Sequence, residues 1–239
     1  MKLSSLIIPT LLLFSFTIFG GNSVKAPEEF FGFKPGADRM LFDYGKLIKY
    51  FELLDRSSSK IKMEKIGTSP MGKPMYIAFI SSEKNINDLD KIKIANRKLA
   101  LNPSIPEEEL NKIIKNTPVS FLATLSMHSG EVGPSQSAPL IAYDLITTNN
   151  KDKLQWLDDV LFLMVPCHNP DGMDMVVHHY WKYKGKKYEG SSLPGVYHKY
   201  VGHDNNRDFV TLTQTDTKAI ARIYNLEWFP QVMVEKHQM

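Results

Sequence analysis

Two spacings of apolar residues alternate along this chain. Across residues 38–55, Met40, Tyr44, Leu47, Ile48, Phe51 and Leu54 recur every three or four positions, which places them on one face of a helix. Residues 61–66 and 75–81 are short apolar runs on either side of the turn sequence Ser69-Pro70-Met71-Gly72, and predict paired strands. Residues 86–100 and 106–115 read as surface helices. Residues 119–127 and 159–166 are dense in apolar and β-branched side chains, so each predicts a buried strand. The second is closed by Asn169-Pro170-Asp171-Gly172, a turn sequence. Residues 135–146 and 215–226 predict helices, and 231–235 predicts a third strand leading into His237. Strands alternating with helices predict an α/β three-layer sandwich, a mixed, largely parallel central sheet flanked by helices.

Length and composition narrow the picture. The chain has 239 residues, of which 43% are hydrophobic and 23% charged, so one globular domain with a real core is expected. A net charge of +3 gives no electrostatic footprint for nucleic acid. The lysines Lys182, Lys184, Lys186 and Lys187, broken by Tyr183 and Gly185, read as a solvated loop. Lys2, the apolar run from Leu6 to Phe19, and the small Gly20, Gly21 and Ala26 have the layout of a secretory signal peptide. The expected division is therefore 1–26 signal peptide and 27–239 folded domain, exported to the periplasm or the extracellular space. Read instead as an uncleaved anchor, the run falls short of the roughly 20 apolar residues that a span needs. No later stretch is long or apolar enough for one. Cys167 is the only cysteine, so an internal disulfide is excluded, and its place at the end of an apolar run predicts a small buried hydrophobe.

Candidate chemistry lies in three residues. His128 and Glu131 stand in the segment 127–136, and His237 is third from the end. A His-x-x-Glu pair with one distant His offers zinc three protein ligands and leaves a fourth position for water, which separates a catalytic site from a structural one. Taken alone, His-x-x-Glu reads as an ordinary polar loop; the motifs downstream change that reading. His128 follows one predicted strand and His237 another, and ligands in open α/β sheets gather outside the carboxyl ends of strands. Whether those two strands are neighbours is not legible in the sequence.

Further motifs follow in order. The segment from His128 to Gln136, the Asn169–Gly172 sequence after a buried strand, Asp204-Asn205-Asn206-Arg207-Asp208-Phe209, and the strand ending in His237 together resemble the zinc carboxypeptidase family, the carboxypeptidase A-like metallopeptidases. Upstream, residues 66–74 resemble the family's Gly-x-Ser-x-x-Gly-Arg hairpin, with Lys73 in place of Arg. The resemblance covers roughly residues 30–239. It implies one bound zinc on His128, Glu131 and His237, and a peptide substrate whose C-terminal carboxylate is held by Asn206 and Arg207. A guanidinium fork suits that task, since it meets a carboxylate with two parallel hydrogen bonds. For Arg207 an ion pair with Asp204 or Asp208 is the competing reading. Asp171 reads as a turn-former, and His168, His178, His179, His198 and His203 match no ligand position.

The departures matter as much. The family's general-base glutamate and its substrate-covering tyrosine lie past the third ligand, so the resemblance implies that both come from beyond Met239. The expectation is a C-terminally incomplete carboxypeptidase domain with little peptidase activity of its own. Glu235 precedes His237 by two residues and would share its face of the strand, outside the family's base position. Asp208 replaces the second Asn of the Asn-Arg-Asn pattern. No arginine stands between Met173 and Asn206 where the family has one to stabilise the oxyanion; Lys182 is the nearest candidate, and an exposed loop lysine is the other reading of it. Two alternatives remain: a zinc amidase or deacylase on the same fold, and a non-catalytic peptide- or glycan-binding remnant.

Overall fold

The computed structural model describes residues 24–193 and 203–238. In chain order these form α1 (Pro27–Phe31), α2 (Tyr44–Ser57), β1 (Ile61–Thr68), β2 (Pro74–Ile80), α3 (Glu83–Asn87), α4 (Leu89–Leu101), α5 (Glu107–Asn116), β3 (Val119–Leu125), α6 (Gly133–Thr147), α7 (Lys151–Asp159), β4 (Val160–Val165), α8 (Pro170–Tyr183), α9 (Asn205–Asp208), α10 (Thr215–Arg222), a π-helical turn (Ile223–Glu227) and β5 (Val232–Lys236). The signal-peptide reading falls, except for residues 24–26, outside the described residues. No described helix is long and apolar enough to cross a membrane.

The strands make one five-stranded mixed sheet in the order β1-β2-β4-β3-β5. β1 with β2 and β2 with β4 run antiparallel; β4 with β3 and β3 with β5 run parallel. Alternation along the strands divides the core. Ala78, Ile80, Ala123, Leu125 and Met164 join α1, α2, α6 and α8 on one face. Ile77, Phe79, Leu122, Leu163 and Val165 join α4 and α10 on the other, around Trp228. Helices on both faces give the three layers expected.

Three local readings change. The helix expected over 38–55 starts at Tyr44, because the Asp43 carboxylate accepts the Lys46 N–H at 2.8 Å and caps it there. The Asn169–Gly172 turn is the start of α8: the Asn169 side chain accepts the Gly172 N–H at 2.8 Å and Pro170 takes the first helical position. The helix expected over 215–226 breaks at Ile223 into the π-helical turn.

Candidate metal centre

Sheet register builds this site. β5 lies beside β3 in parallel, and the final pairs are Thr124 with Glu235 and Leu125 with Lys236. His237 therefore leaves one strand where the loop to His128 leaves its neighbour. Just past β3, Ser126 takes the left-handed backbone conformation, with φ of 54°. Its hydroxyl accepts the Ser135 N–H at 3.0 Å, and its carbonyl accepts the Asn169 N–H at 3.2 Å. That turn buries Met127 and brings out His128. Strain of this kind persists only where the surroundings hold it, and it collects at functional sites.

The three sequence-predicted ligands do meet. His128 Nδ1 lies 2.9 Å from Glu131 Oε1, and His237 Nδ1 lies 2.9 Å from Glu131 Oε2. One ligand atom from each residue lies within 4.8 Å of the others. Both imidazoles also turn their outer nitrogen toward a second carboxylate. His128 Nε2 is 3.1 Å from Asp204 Oδ1, and His237 Nε2 is 4.0 Å from Glu235 Oε2. At 3.1 Å the Asp204 carboxylate can hold the His128 proton on the outer nitrogen and leave the inner lone pair for a metal, whereas Glu235 at 4.0 Å is beyond hydrogen-bond reach of His237. Two imidazoles and a carboxylate are the donor chemistry zinc takes, so these residues fit that ion.

The electrostatics are consistent with a cationic guest. Burial pushes the Glu131 carboxyl upward, but its contacts with His128 and His237 outweigh it and leave the group below its ordinary value. Glu235 is raised by burial, against the pull of His237 and His128. Sequence reasoning gave Glu235 little weight; the strand's alternation does bring it to His237.

Asp204 is the residue sequence reasoning missed. In the sequence it stands at the head of the Asp204–Phe209 segment and as a candidate ion-pair partner of Arg207, with no sign of its contact to His128. Its Oδ1 also accepts the Asn206 N–H at 2.8 Å and so caps α9, the helix that carries Asn206 and Arg207. One oxygen thus links the first candidate ligand to the candidate carboxylate-binding pair. Its signal was the N-cap spacing of an aspartate two residues before Asn206. Arg207 is exposed, beyond that cap.

Asp208 is fully buried. It accepts the Thr213 N–H at 3.0 Å, the Gln214 N–H at 2.9 Å and the Thr211 hydroxyl at 3.1 Å, with the Thr213 hydroxyl and His203 alongside. Burial works against ionisation, yet the bonds from Thr213, Gln214 and Thr211 hold this carboxyl well below the usual carboxylate range. The second Asn of the family pattern is thus replaced by a charged loop anchor.

The remaining motifs clamp the site from behind. The buried Asp171 carboxylate accepts the Ser69 hydroxyl at 2.7 Å and the Met71 N–H at 2.9 Å, tying the β1–β2 turn to α8. Lys73 pairs with Asp174 at 2.5 Å, and Asp174 also accepts the Tyr44 N–H at 2.8 Å. A Cβ on Gly172 would stand 2.9 Å from the Ser129 Cα, so only glycine lets α8 abut the loop between His128 and Glu131. Lys182 is exposed, 5.2 Å from the Tyr183 ring centroid. His168 is buried edge-on to Phe209, His179 contacts Ser191, and His198 lies outside the described residues. Cys167 is buried, and burial pushes its thiol up to about 12, as expected of an inert residue.

The sequence matches the family described as zinc carboxypeptidase over residues 47–225. That span takes in His128, Glu131, Asn206 and Arg207, whereas His237 lies past it. No curated protein matches. Among solved structures, bovine thrombin-activatable fibrinolysis inhibitor in complex with tick carboxypeptidase inhibitor matches at a TM-score of 0.55 and 14% identity, over 84% of this chain and 62% of that one. The metallo-carboxypeptidase from Burkholderia cenocepacia matches at 0.54 and 11%, over 83% of this chain and 41% of that one. Carboxypeptidase A from Helicoverpa armigera matches at 0.54 and 11%, over 89% and 51%. At such identities the likeness is one of fold. The chain spans between 41% and 62% of the length of these three structures.

Proposed function

The chain belongs to the zinc carboxypeptidase family, and on that premise we propose that residues 27–239 form an exported carboxypeptidase domain that releases C-terminal residues from peptides. The observation that carries this reading is the meeting of His128, Glu131 and His237, with ligand atoms within 4.8 Å of one another. These three residues would hold one zinc ion. Bound there, zinc supplies Lewis acidity toward a peptide carbonyl and makes a coordinated water acidic.

The chain's own residues then have distinct tasks. Glu131 and the two inner nitrogens present electron pairs to one point. Asp204 keeps the His128 proton on the outer side, and the Glu235 carboxylate lies 4.0 Å from the outer nitrogen of His237. The Arg207 fork and the Asn206 amide receive the substrate's terminal carboxylate, and the shared cap at Asp204 sets their distance from His128. Proton transfer to the leaving amine needs a further carboxylate. Among the described residues Glu131 and Asp204 are engaged with the imidazoles, and Glu235 sits behind His237. We therefore expect weak turnover from this chain by itself.

Purified protein is assayed for zinc and for binding of N-acyl dipeptides as free acids and as amides. The reading predicts one zinc per chain, lost in His128→Ala, and a preference for the free acid that disappears in Arg207→Ala. Equal binding of acid and amide would point to the amidase alternative, and absence of zinc to a metal-free binding remnant.

A further inference from the structure

A cavity of about 440 Å³ opens directly beside the candidate metal centre. Its wall includes His128 itself and the next two residues, Ser129 and Gly130. The rest is predominantly apolar and aromatic, with Leu41, Val176, His179, Tyr180, Tyr183 and Tyr188 as principal members. This is the size and lining of a pocket that encloses a side chain.

The aromatic wall is ordered by its own contacts. His179 meets Tyr183 edge-on at 4.8 Å between centroids, and Tyr183 meets Tyr188 edge-on at 5.9 Å. The loop that carries Tyr188 is pinned. The Glu189 carboxylate accepts the Gly185 N–H at 2.6 Å and pairs with Arg39 at 2.6 Å. Lys184 donates to the Arg39 carbonyl at 2.6 Å. Rings arranged in this way present both faces and edges, which another ring fills better than an aliphatic chain does.

His128 borders both the cavity and the candidate carboxylate-binding pair. Its outer nitrogen faces Asp204, the cap of the helix bearing Asn206 and Arg207. The residues that follow it wall the cavity, and neither Asn206 nor Arg207 takes part in that wall. We propose that this cavity takes an aromatic side chain of the substrate on the amino side of the bond to be cut. The proposal rests on the carboxypeptidase reading for its direction and on the pocket's lining for its chemistry. It makes the domain selective for peptides with a Phe, Tyr or Trp shortly before the C-terminal residue.

Calorimetric titration of the zinc-loaded full chain with N-acetyl-Phe-Phe-Ala and N-acetyl-Gly-Gly-Ala tests it. The aromatic peptide is expected to bind about tenfold more tightly, the scale set by burying one ring. Val176→Trp fills the cavity from α8 and should bring the two peptides to within about twofold, with zinc content and unfolding temperature unchanged. Tyr183→Leu, which removes the central ring, serves if the larger substitution disturbs folding, and should lower the preference in the same way. Equal affinities in the unsubstituted chain, or a preference untouched by a folded variant, overturn the proposal. A chain that retains no zinc sinks the carboxypeptidase reading separately. The pocket is then judged with N-acetylphenylalanine amide against N-acetylalanine amide, which carry no carboxylate. Selective binding of the first supports it, and binding of neither, or of both equally, overturns it.

Discussion

The Glu131 carboxylate and the His237 imidazole lie 2.9 Å apart although 106 residues separate them in the chain. The contact exists because β5 adds to the sheet beside β3, in parallel and in register. Glu131 then uses its second oxygen for His128. One acidic side chain between two imidazoles gathers three electron-pair donors within reach of a single ion, which motivates the first prediction.

Exchanging Glu131 for Gln or His237 for Ala should reduce zinc content from one per chain to background, measured by atomic emission after dialysis. Metal-free protein of the natural sequence should unfold at lower temperature than the loaded form, because zinc binds the folded state selectively. Equal unfolding temperatures with and without zinc would count against a shared site.

Asp204→Asn should weaken zinc binding by about 10- to 100-fold, the range seen when the outer partner of a ligating histidine is removed. Asparagine still caps α9, so stability should change by less than about 0.5 kcal/mol. Glu235→Gln should have the smaller effect of the two, since Glu235 stands 4.0 Å from His237 while Asp204 is at 3.1 Å from His128. Competition against a zinc chelator ranks them, and a reversed order would refute the assignment.

Gly172→Ala tests the close approach of α8 to the ligand loop. In an open helix interior this change is worth about 1 kcal/mol of added stability. Here the new methyl would meet the Ser129 backbone at 2.9 Å. Overpacking costs about 1–3 kcal/mol, so steric cost should exceed the gain and lower the unfolding temperature by a few degrees. Zinc affinity should fall with it, because Ser129 lies between His128 and Glu131. An increase in unfolding temperature would show that the loop yields freely.

Asp208→Asn should cost about 2–3 kcal/mol by turning an amide N–H₂ toward backbone donors now satisfied by a carboxylate oxygen. The pH dependence has a definite sign. Asp208 is depressed in the folded state, so its contribution is complete above the unfolded value of about 3.9 and is lost as pH falls through the lower folded value. The variant should therefore lose less stability than the natural chain between about pH 4 and pH 2, followed by urea denaturation. Parallel curves would place the acid sensitivity elsewhere.

Much of this was legible along the chain. The three- and four-residue spacing at Leu47, Phe51 and Leu54 gave α2, and the dense apolar runs gave β3 and β4. Motif order singled out His128, Glu131 and His237, which the fold brings together, and proposed the Asn206–Arg207 pair. Boundaries went astray where a side chain competes with the pattern: Asp43 delays α2, and Asn169 converts an apparent turn into the start of α8.

Local sequence sets which faces are apolar and which residues bear electron pairs, because both are properties of single positions and their immediate neighbours. Tertiary structure decided which strands become neighbours, and with that whether His237 reaches Glu131. It also decided that Asp204 backs His128 and that Tyr183 and Tyr188 wall a cavity next to it. Those relations depend on strand order and crossover geometry, which short-range spacing does not encode.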